Sequence, residues 1–264
     1  MKKLLLLIVI TITQINIHSQ NIEIVYSVSE NTNDPILSTS TTYNLIIKNN
    51  QSVYYNNNDS LKQFKYQSFI DETKKIGELT RVKLSDNHYA YIKQDFFYKN
   101  YKKDTLVFNE IILNKKVFVG EKINLFDWDI QPKSDTLILN QKCQKAISKF
   151  RGRVYEAFFS TELSPRGGPW KFDGLPGVIL SVRSLDNYFV IKPIKIIKNS
   201  LSANEINNVY DKEKIISWET FKVLFKKKLK QQLKKLKLMS EDGEGGSVEI
   251  TDRIEDLGIK KMSF

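Results

Sequence analysis

The sequence predicts a mainly β protein in which an antiparallel sheet is followed by a C-terminal amphipathic helix. From residue 21 onward, short β-branched and aromatic runs alternate with polar residues and are separated by Asn, Asp, Gly and Lys. After residue 199 the apolar residues recur at spacings of three and four, which is typical of one face of a helix. No long helical pattern alternates with the strands, and this disfavours a parallel α/β sheet.

Residues 1–19 predict a secretory signal peptide. Lys2 and Lys3 precede the largely apolar run 4–12, and Ile17-His18-Ser19 offers a cleavage site before Gln20. The alternative is a buried first strand, because a run of this length is too short to span a bilayer. No cysteine stands at the cleavage point, so we expect a periplasmic protein that is not a lipoprotein.

The composition excludes several classes of site. The chain of 264 residues has one Cys and two His, of which His18 falls in the predicted signal peptide and leaves His88. A disulfide framework, a multi-thiolate zinc site and a poly-His centre are therefore excluded, and we expect no metal and no cofactor. The net charge is +11, from 41 Lys+Arg and 30 Asp+Glu.

The period-two runs predict the strands and their pairing. We expect strands at 22–28, 43–48, 52–55, 88–93, 96–98, 105–113, 116–119, 136–139, 142–150, 154–161, 178–183 and 188–197. Short turns such as Asn49-Asn50 and 184–187 predict antiparallel hairpins. Residues 20–239 then form one antiparallel β domain with its helix, and 240–264 form a polar, Gly-rich linker and C-terminal tail.

The predicted helix has one apolar and one lysine-rich face. The apolar residues are Ile215, Trp218, Phe221, Leu224, Phe225, Leu229, Leu233 and Leu236. We expect this stripe to pack on the sheet and the lysines to face solvent. The alternative is docking of the lysine face on a membrane surface or a partner. Nucleic acid is not expected as a partner, because an exported protein rarely meets it.

The most distinctive segment is residues 166–180, where glycines and prolines flank aromatic residues. Pro176-Gly177 predicts a type II turn with a positive φ at Gly177, leading into the strand at 178. Gly168-Pro169 predicts a second turn, after which Trp170 and Phe172 share one side of the chain. A phosphate-binding loop is excluded, because no helix and no Lys-Ser/Thr pair follow the glycines.

This segment carries a family resemblance. Gly174-Leu175-Pro176-Gly177-Val178-Ile179 resembles the signature of the GLPGLI family of exported Bacteroidota proteins, with Val178 in place of the usual leucine. The segments at 143–146, 150–153, 155–160 and 168–172 look like the family's upstream motifs, and the match covers about residues 141–183. The resemblance implies a curved antiparallel sheet, half-barrel or bowl-like, since a similar domain is a bowl-shaped accessory module of a glycoamidase.

The resemblance also implies a function class. Family members are periplasmic proteins often encoded beside TonB-dependent outer-membrane transporters, so a non-enzymatic binding or accessory role with such a partner is the leading hypothesis. The candidate binding residues are Trp170, Lys171, Phe172, Leu175 and Pro176. The candidate structural residues are Gly168, Pro169, Gly174, Gly177 and Cys143.

Two alternatives use other features of the sequence. A glycan- or peptide-directed hydrolase could use carboxylates at Asp127, Asp129, Glu156 or Glu162, and it would require two of them to converge with one raised pKa. A carrier of a hydrophobic molecule would require a dry cavity. Cys143 is expected to be a small buried residue rather than a nucleophile.

Overall fold

The structure of the chain is a computed structural model. It describes residues 21–31, 39–48, 50–56, 73–76, 79–84, 96–112, 115–199, 206, 208, 210–239, 247–250, 253–259 and 261–263. The predicted signal peptide and the predicted strand at 88–93 lie outside the described residues.

The described residues form sixteen strands and one helix. The strands are β1 (Ile22–Glu30), β2 (Thr39–Lys48), β3 (Gln51–Asn56), β4 (Thr73–Ile76), β5 (Leu79–Leu84), β6 (Phe96–Asn100), β7 (Thr105–Ile112), β8 (Lys115–Glu121), β9 (Asp129–Ile138), β10 (Gln141–Phe150), β11 (Arg153–Ser160), β12 (Val178–Ser184), β13 (Phe189–Lys198), β14 (Ile215–Ser217), β15 (Ser247–Ile250) and β16 (Lys261–Ser263), and the helix α1 is Trp218–Met239. The predicted mainly β class, with a C-terminal helix, is confirmed.

Twelve of the strands form one open, curved sheet. Their order is β14-β8-β7-β6-β3-β2-β1-β13-β12-β11-β10-β9, and sequential strands are mostly antiparallel neighbours, as predicted from the short turns. The parallel pairing of β14 with β8 is an exception. A smaller sheet has the order β16-β15-β5-β4, and β15 pairs in parallel with β5. Within the described part of the chain, no helix is long and apolar enough to cross a membrane.

The main core lies on the inner face of the large sheet, under α1. Side chains that alternate along each strand point into it, as Leu45 and Ile47 do on β2. The helix adds Trp218, Phe221, Phe225, Leu229 and Leu233, all buried, and this confirms the predicted packing of its apolar stripe. Ser217 caps the helix, since its hydroxyl accepts a hydrogen bond from the Thr220 amide at 3.2 Å.

A second, smaller core lies on the outer face of the same sheet. Ile46 of β2 and Val53 of β3 face outward there and pack with Tyr98, Val107 and Tyr210. The Tyr210 hydroxyl donates a hydrogen bond to the carbonyl of Phe96 at 2.6 Å and so fixes the segment before α1 over this part of the sheet. The rest of the outer face is more polar.

The expectation of a polar tail after residue 239 needs correction. Residues 247–250 and 261–263 are strands, and between them Glu255, Leu257 and Ile259 are buried. The strand at 247–250 pairs with β5, which is far away in the chain, so a local pattern of alternation does not reveal it. The strand β14 was missed for the same reason, since it pairs with β8. The neighbouring strands β4 and β5 were also missed.

Candidate functional site

The glycine-proline loop, residues 168–177, is built into the core. The exposed fraction of the Trp170 side chain is 6 %, and Lys171, Phe172 and Leu175 are buried as well. Of the five candidate binding residues only Pro176 lies at the surface. A ligand could reach the other four only if the loop opened, so their placement favours a structural role.

Aromatic contacts hold the loop in place. The Trp170 ring lies 5.6 Å from that of Phe189 and 6.4 Å from that of Phe97, measured between centroids. The Phe172 ring lies 4.9 Å from Phe126 and 5.1 Å from Tyr155. The turn after Pro169 lets both rings point inward, and Trp170 takes a positive φ of 50° to do so. These contacts anchor the loop on the core.

The buried Lys99 is hydrogen-bonded to the backbone of the same loop. The Lys99 ammonium donates to the carbonyls of Gly168 and Phe172, at 2.9 and 2.8 Å, and to the Asp173 carboxylate at 2.9 Å. An ammonium has three protons, so each has an acceptor. Burial lowers the pKa of Lys99, and the neighbouring Asp173 charge opposes that shift.

Asp173 links the loop to two other parts of the chain, the end of β6 and the segment before β9. Besides Lys99, its carboxylate accepts a hydrogen bond from the Tyr101 hydroxyl at 3.0 Å and one from the Gly174 amide at 2.9 Å. Its carbonyl accepts from the Trp128 indole at 2.7 Å. Sequence reasoning missed Asp173 and Lys99, because single charged residues in these segments give no signal that distinguishes a buried ion pair from a solvated one.

A second group of buried charges lies beside the loop, and we call it the Lys171 cluster: Lys171, Arg151, Glu121 and Glu255. The Lys171 ammonium is completely buried and pairs with Glu255, while Glu121 lies 3.8 Å away. Arg151 donates to both carboxylates. The ammonium also lies 3.9 Å from the Phe108 ring centre and 4.4 Å from that of Trp218.

The pKa shifts in the Lys171 cluster follow from burial and pairing. Burial lowers the pKa of Lys171, and the charges of Glu255, Glu110 and Glu121 act against it. Burial acts to raise the pKa of Glu255, but Lys171 and Arg151 outweigh it, so that pKa lies below its ordinary value. The Glu255 carboxylate is therefore held ionised in the interior by its two cationic neighbours.

The predicted positive φ at Gly177 is wrong, although glycine is required there. Gly174, rather than Gly177, takes the positive φ, at 91°. A Cβ on Gly177 would lie 2.1 Å from the carbonyl oxygen of Ser160 and 2.5 Å from its carbon. The close approach of two backbones demands glycine at this position.

Cys143 lies in the core, as expected. Its side chain is buried on β10, and its thiol lies 3.4 Å from the Gln141 carbonyl. Burial raises the pKa of Cys143 to about 11, so the thiol is neutral at physiological pH. This environment suits packing and not nucleophilic attack.

The four carboxylates of the hydrolase hypothesis have different surroundings. Asp127, Asp129 and Glu162 are exposed, whereas Glu156 is buried and lies between Arg183 at 2.9 Å and Lys145 at 3.3 Å. Among the residues that the structure describes, no three His, Cys, Asp or Glu side chains form a metal site.

An open, polar depression of about 540 Å³ lies on the outer face of the large sheet. We call it the Arg183 recess, and it is lined by Ser27, Ser29, Asn31, Arg183, Asn187, Val190 and Lys192. The strand register explains why these residues meet: Arg183 of β12 lies beside Val190 of β13, which lies beside Ser29 of β1. Lys192 lies beside Ser27 in the same way. Local sequence patterns do not reveal the recess, because β1 is far from β12 and β13 in the chain.

The guanidinium of Arg183 is the strongest recognition group in the recess. Glu156 fixes it from one side by accepting from Nε at 2.9 Å, while 51 % of the side chain stays exposed. The side chain of Asn31 is also fixed in orientation, since its amide Nδ2 donates a hydrogen bond to the Asn187 carbonyl at 2.8 Å. A fixed guanidinium with hydroxyl and amide neighbours can bind an anionic ligand that carries hydroxyl groups.

The comparisons with known proteins found similarity in fold but not in sequence family. No family model matches the chain, and no curated protein matches its sequence. The structure described as PNGF-II in the P21 space group matches with a TM-score of 0.50 and 16 % identity, over 80 % of this chain and 34 % of that one. PNGF-II in the C2 space group matches with 0.50 and 15 %, over 80 % and 33 %. This chain thus spans about a third of the length of those structures and is similar to that part in fold.

Proposed function

We propose that this chain is a non-enzymatic binding or accessory protein of the cell envelope, and that the Arg183 recess holds its ligand. The observation that carries the proposal is the guanidinium of Arg183, which is half exposed and oriented by the buried Glu156. A cation that is fixed before the ligand arrives loses less conformational entropy on binding. The candidate residues of the glycine-proline loop, in contrast, are mostly buried.

The chemistry of the recess suggests the ligand class. Arg183 and Lys192 supply positive charge, and Ser27, Ser29 and Asn31 supply neutral hydrogen-bonding groups. Val190 is the apolar contribution to the lining. A small acidic sugar, with one carboxylate and several hydroxyl groups, matches this set better than a hydrophobic molecule does.

The accessory role has separate support. The fold matches about a third of a larger chain, so this arrangement of strands also occurs as one part of a larger protein. The resemblance of residues 141–183 to the GLPGLI family favours export to the periplasm and a TonB-dependent outer-membrane transporter as the partner. Cell fractionation tests the compartment, and cross-linking in intact cells followed by mass spectrometry tests the partner. Recovery of the chain in the cytoplasm with Met1 intact would contradict the envelope role.

The ligand proposal is tested with a matched pair of probes, glucuronate and glucose, which differ in one carboxylate. We expect glucuronate to bind more tightly in a calorimetric or NMR titration. Arg183→Gln should weaken that binding by about tenfold or more, the loss typical of a hydrogen bond to a charged group. Lys145 still pairs with Glu156 in this variant, so the fold should persist.

The control variant is Lys195→Gln, which removes an exposed charge from β13 outside the recess lining. It should bind glucuronate as the unaltered protein does. Equal binding of the two probes, or equal losses in the two variants, would show that Arg183 does not select the ligand. Failure of both probes to bind would overturn the assignment of an acidic sugar.

A further inference from the structure

The outward face of α1 carries a concentration of positive charge that the fold does not use. The 22-residue helix contains eight lysines, and Glu219 in its first turn is its one acidic residue. Glu219 pairs with Lys222 at 2.9 Å. Lys226, Lys227, Lys230 and Lys234 are all exposed, and we call these four the helix lysine face. Within the described residues, none of the four has an acidic partner within ion-pair distance.

This arrangement is unfavourable for the isolated helix. Lys222, Lys226, Lys230 and Lys234 follow one another at intervals of four, so successive ammonium groups are neighbours on the helix surface. Like charges at this spacing destabilise a helix, whereas alternating signs would keep it soluble and stabilise it. Interaction with the helix dipole favours lysines in the last turn, but Lys226 and Lys230 lie mid-helix. An external anion would relieve the repulsion.

Because the apolar stripe is buried, α1 can contact an external anion only through its exposed lysines. Phe221, Phe225, Leu229 and Leu233 are buried in the main core, so α1 cannot insert an apolar face into a bilayer without unfolding the protein. The face stretches over about 12 Å from Lys226 to Lys234, at 1.5 Å per residue. It is therefore suited to a broad anionic surface that is contacted electrostatically.

We propose that the helix lysine face docks this protein on a membrane surface rich in anionic lipid headgroups. Charge complementarity carries the proposal: basic clusters near an anionic leaflet each gain from its negative potential, and the attraction falls off within a Debye length. The docking is peripheral and reversible, and it leaves the folded core intact. It is independent of the Arg183 recess, which lies on the outer face of the large sheet.

Co-sedimentation with vesicles tests the proposal. The full folded chain should bind vesicles of phosphatidylcholine mixed with phosphatidylglycerol at low salt, bind phosphatidylcholine alone weakly, and dissociate at high salt. The variant Lys226→Gln, Lys227→Gln, Lys230→Gln and Lys234→Gln should lose affinity by about tenfold or more, since each lysine adds to the attraction. Glutamine favours helix, so α1 should be retained, and circular dichroism and the melting temperature check this.

A matched control separates a specific face from general basicity. Lys142, Lys149, Lys195 and Lys198 are exposed on β10 and β13, and changing all four to Gln lowers the net charge by the same amount. This control should keep nearly all of its vesicle binding. Equal losses in the two variants would overturn the proposal in favour of net charge alone. Absence of binding to anionic vesicles at low salt, or binding that is insensitive to salt, would overturn it too.

Discussion

Lys99 and Lys171 are two lysines that the fold buries completely, and both are tied to the glycine-proline loop. Burying a charge is costly unless it is paired and fully hydrogen-bonded. Lys99 meets this condition with three acceptors. Lys171 donates one hydrogen bond, to Glu255, and is otherwise compensated by the nearby Glu121 carboxylate and by aromatic rings. The loop is thus held by charge as well as by apolar contact, and this makes its position specific.

The Glu255 carboxylate should make the protein sensitive to acid. Its pKa in the folded protein lies below the ordinary value of 4.5, because Lys171 and Arg151 outweigh the effect of burial. A lowered pKa in the folded state adds stability that is complete above pH 4.5 and is lost as the pH falls through the folded pKa. Glu255→Gln should cost about 3–5 kcal/mol at neutral pH, because it breaks a buried ion pair.

The pH profile separates this cause from a general loss of stability. The free energy of unfolding of Glu255→Gln should fall less steeply than that of the unaltered protein as the pH drops below 4.5. Urea titrations at several pH values measure it. Glu162→Gln, which alters an exposed carboxylate outside the cluster, serves as the control. Parallel profiles for the unaltered protein and Glu255→Gln would contradict the assigned role.

Cys143 should label slowly in the native protein. With a pKa of about 11, about one thiol in a thousand is ionised at pH 8, and burial blocks the approach of a reagent. A thiol reagent with an optical readout should therefore react only after local opening, and it should react rapidly in urea. Native labelling as fast as labelling in urea would contradict the core placement.

At the scale of residues, the sequence predicts the burial of apolar side chains better than the burial of charged ones. The burial of Cys143 was predicted, because a free cysteine inside a strand is usually core. Lys99 and Asp173 could not be distinguished from surface residues, since the groups that compensate them come from distant strands. The burial of Trp170, a candidate binding residue, was not predicted for a similar reason: its contacts with Phe97 and Phe189 depend on how the sheet curves.

At the scale of elements, the sheet and helix followed from local periodicity. The runs at 142–150 and 154–161 are close to β10 and β11, because alternating side chains and a tight turn suffice to pair them. The helix followed from its 3.6 period, although Ile215 lies in β14 and not in α1. The small sheet of β4, β5, β15 and β16 depends on the pairing of β15 with β5 across most of the chain, which no local pattern encodes.

The glycine-proline loop allows one element to be tested with a matched pair. Gly177→Ala should destabilise the fold by about 3 kcal/mol or more, because the added Cβ overlaps the Ser160 carbonyl and two backbones would have to separate. Gly174→Ala places a Cβ 3.4 Å from the nearest atom and pays only for its positive φ of 91°, about 1 kcal/mol. Chemical denaturation measures both. The reverse order of the two losses would show that φ, and not close approach, decides the choice of glycine.

At the scale of the whole molecule, the C-terminal segment 253–259 packs against residues from the middle of the chain. β1, near the start of the described chain, pairs with β2 and β13 in the middle of the sheet. The segment 253–259 then returns to the Lys171 cluster, where the amide of Asp256 donates to the Arg151 carbonyl at 2.9 Å. The Tyr155 hydroxyl donates to the carbonyl of Ile254 at 3.2 Å. The C-terminal segment therefore completes the core that the sheet begins.

Removal of this segment should destabilise the entire domain, although its sequence is typical of a tail. A chain ending at residue 250 lacks Glu255 and leaves the buried Lys171 and the partly buried Arg151 with one close carboxylate fewer. It also loses the buried side chains of Leu257 and Ile259. We expect a loss of about 3 kcal/mol or more from the missing carboxylate partner of Lys171 alone. A chain ending at residue 260 keeps all three side chains and should lose much less stability.

Urea denaturation measures the difference between the two truncated chains. Tryptophan fluorescence is a suitable signal, because Trp218 and Trp170 lie near Lys171. The shorter chain should give a single transition that is shifted to lower urea concentration. Equal midpoints for the two truncated chains would mean that the segment covers the core without stabilising it.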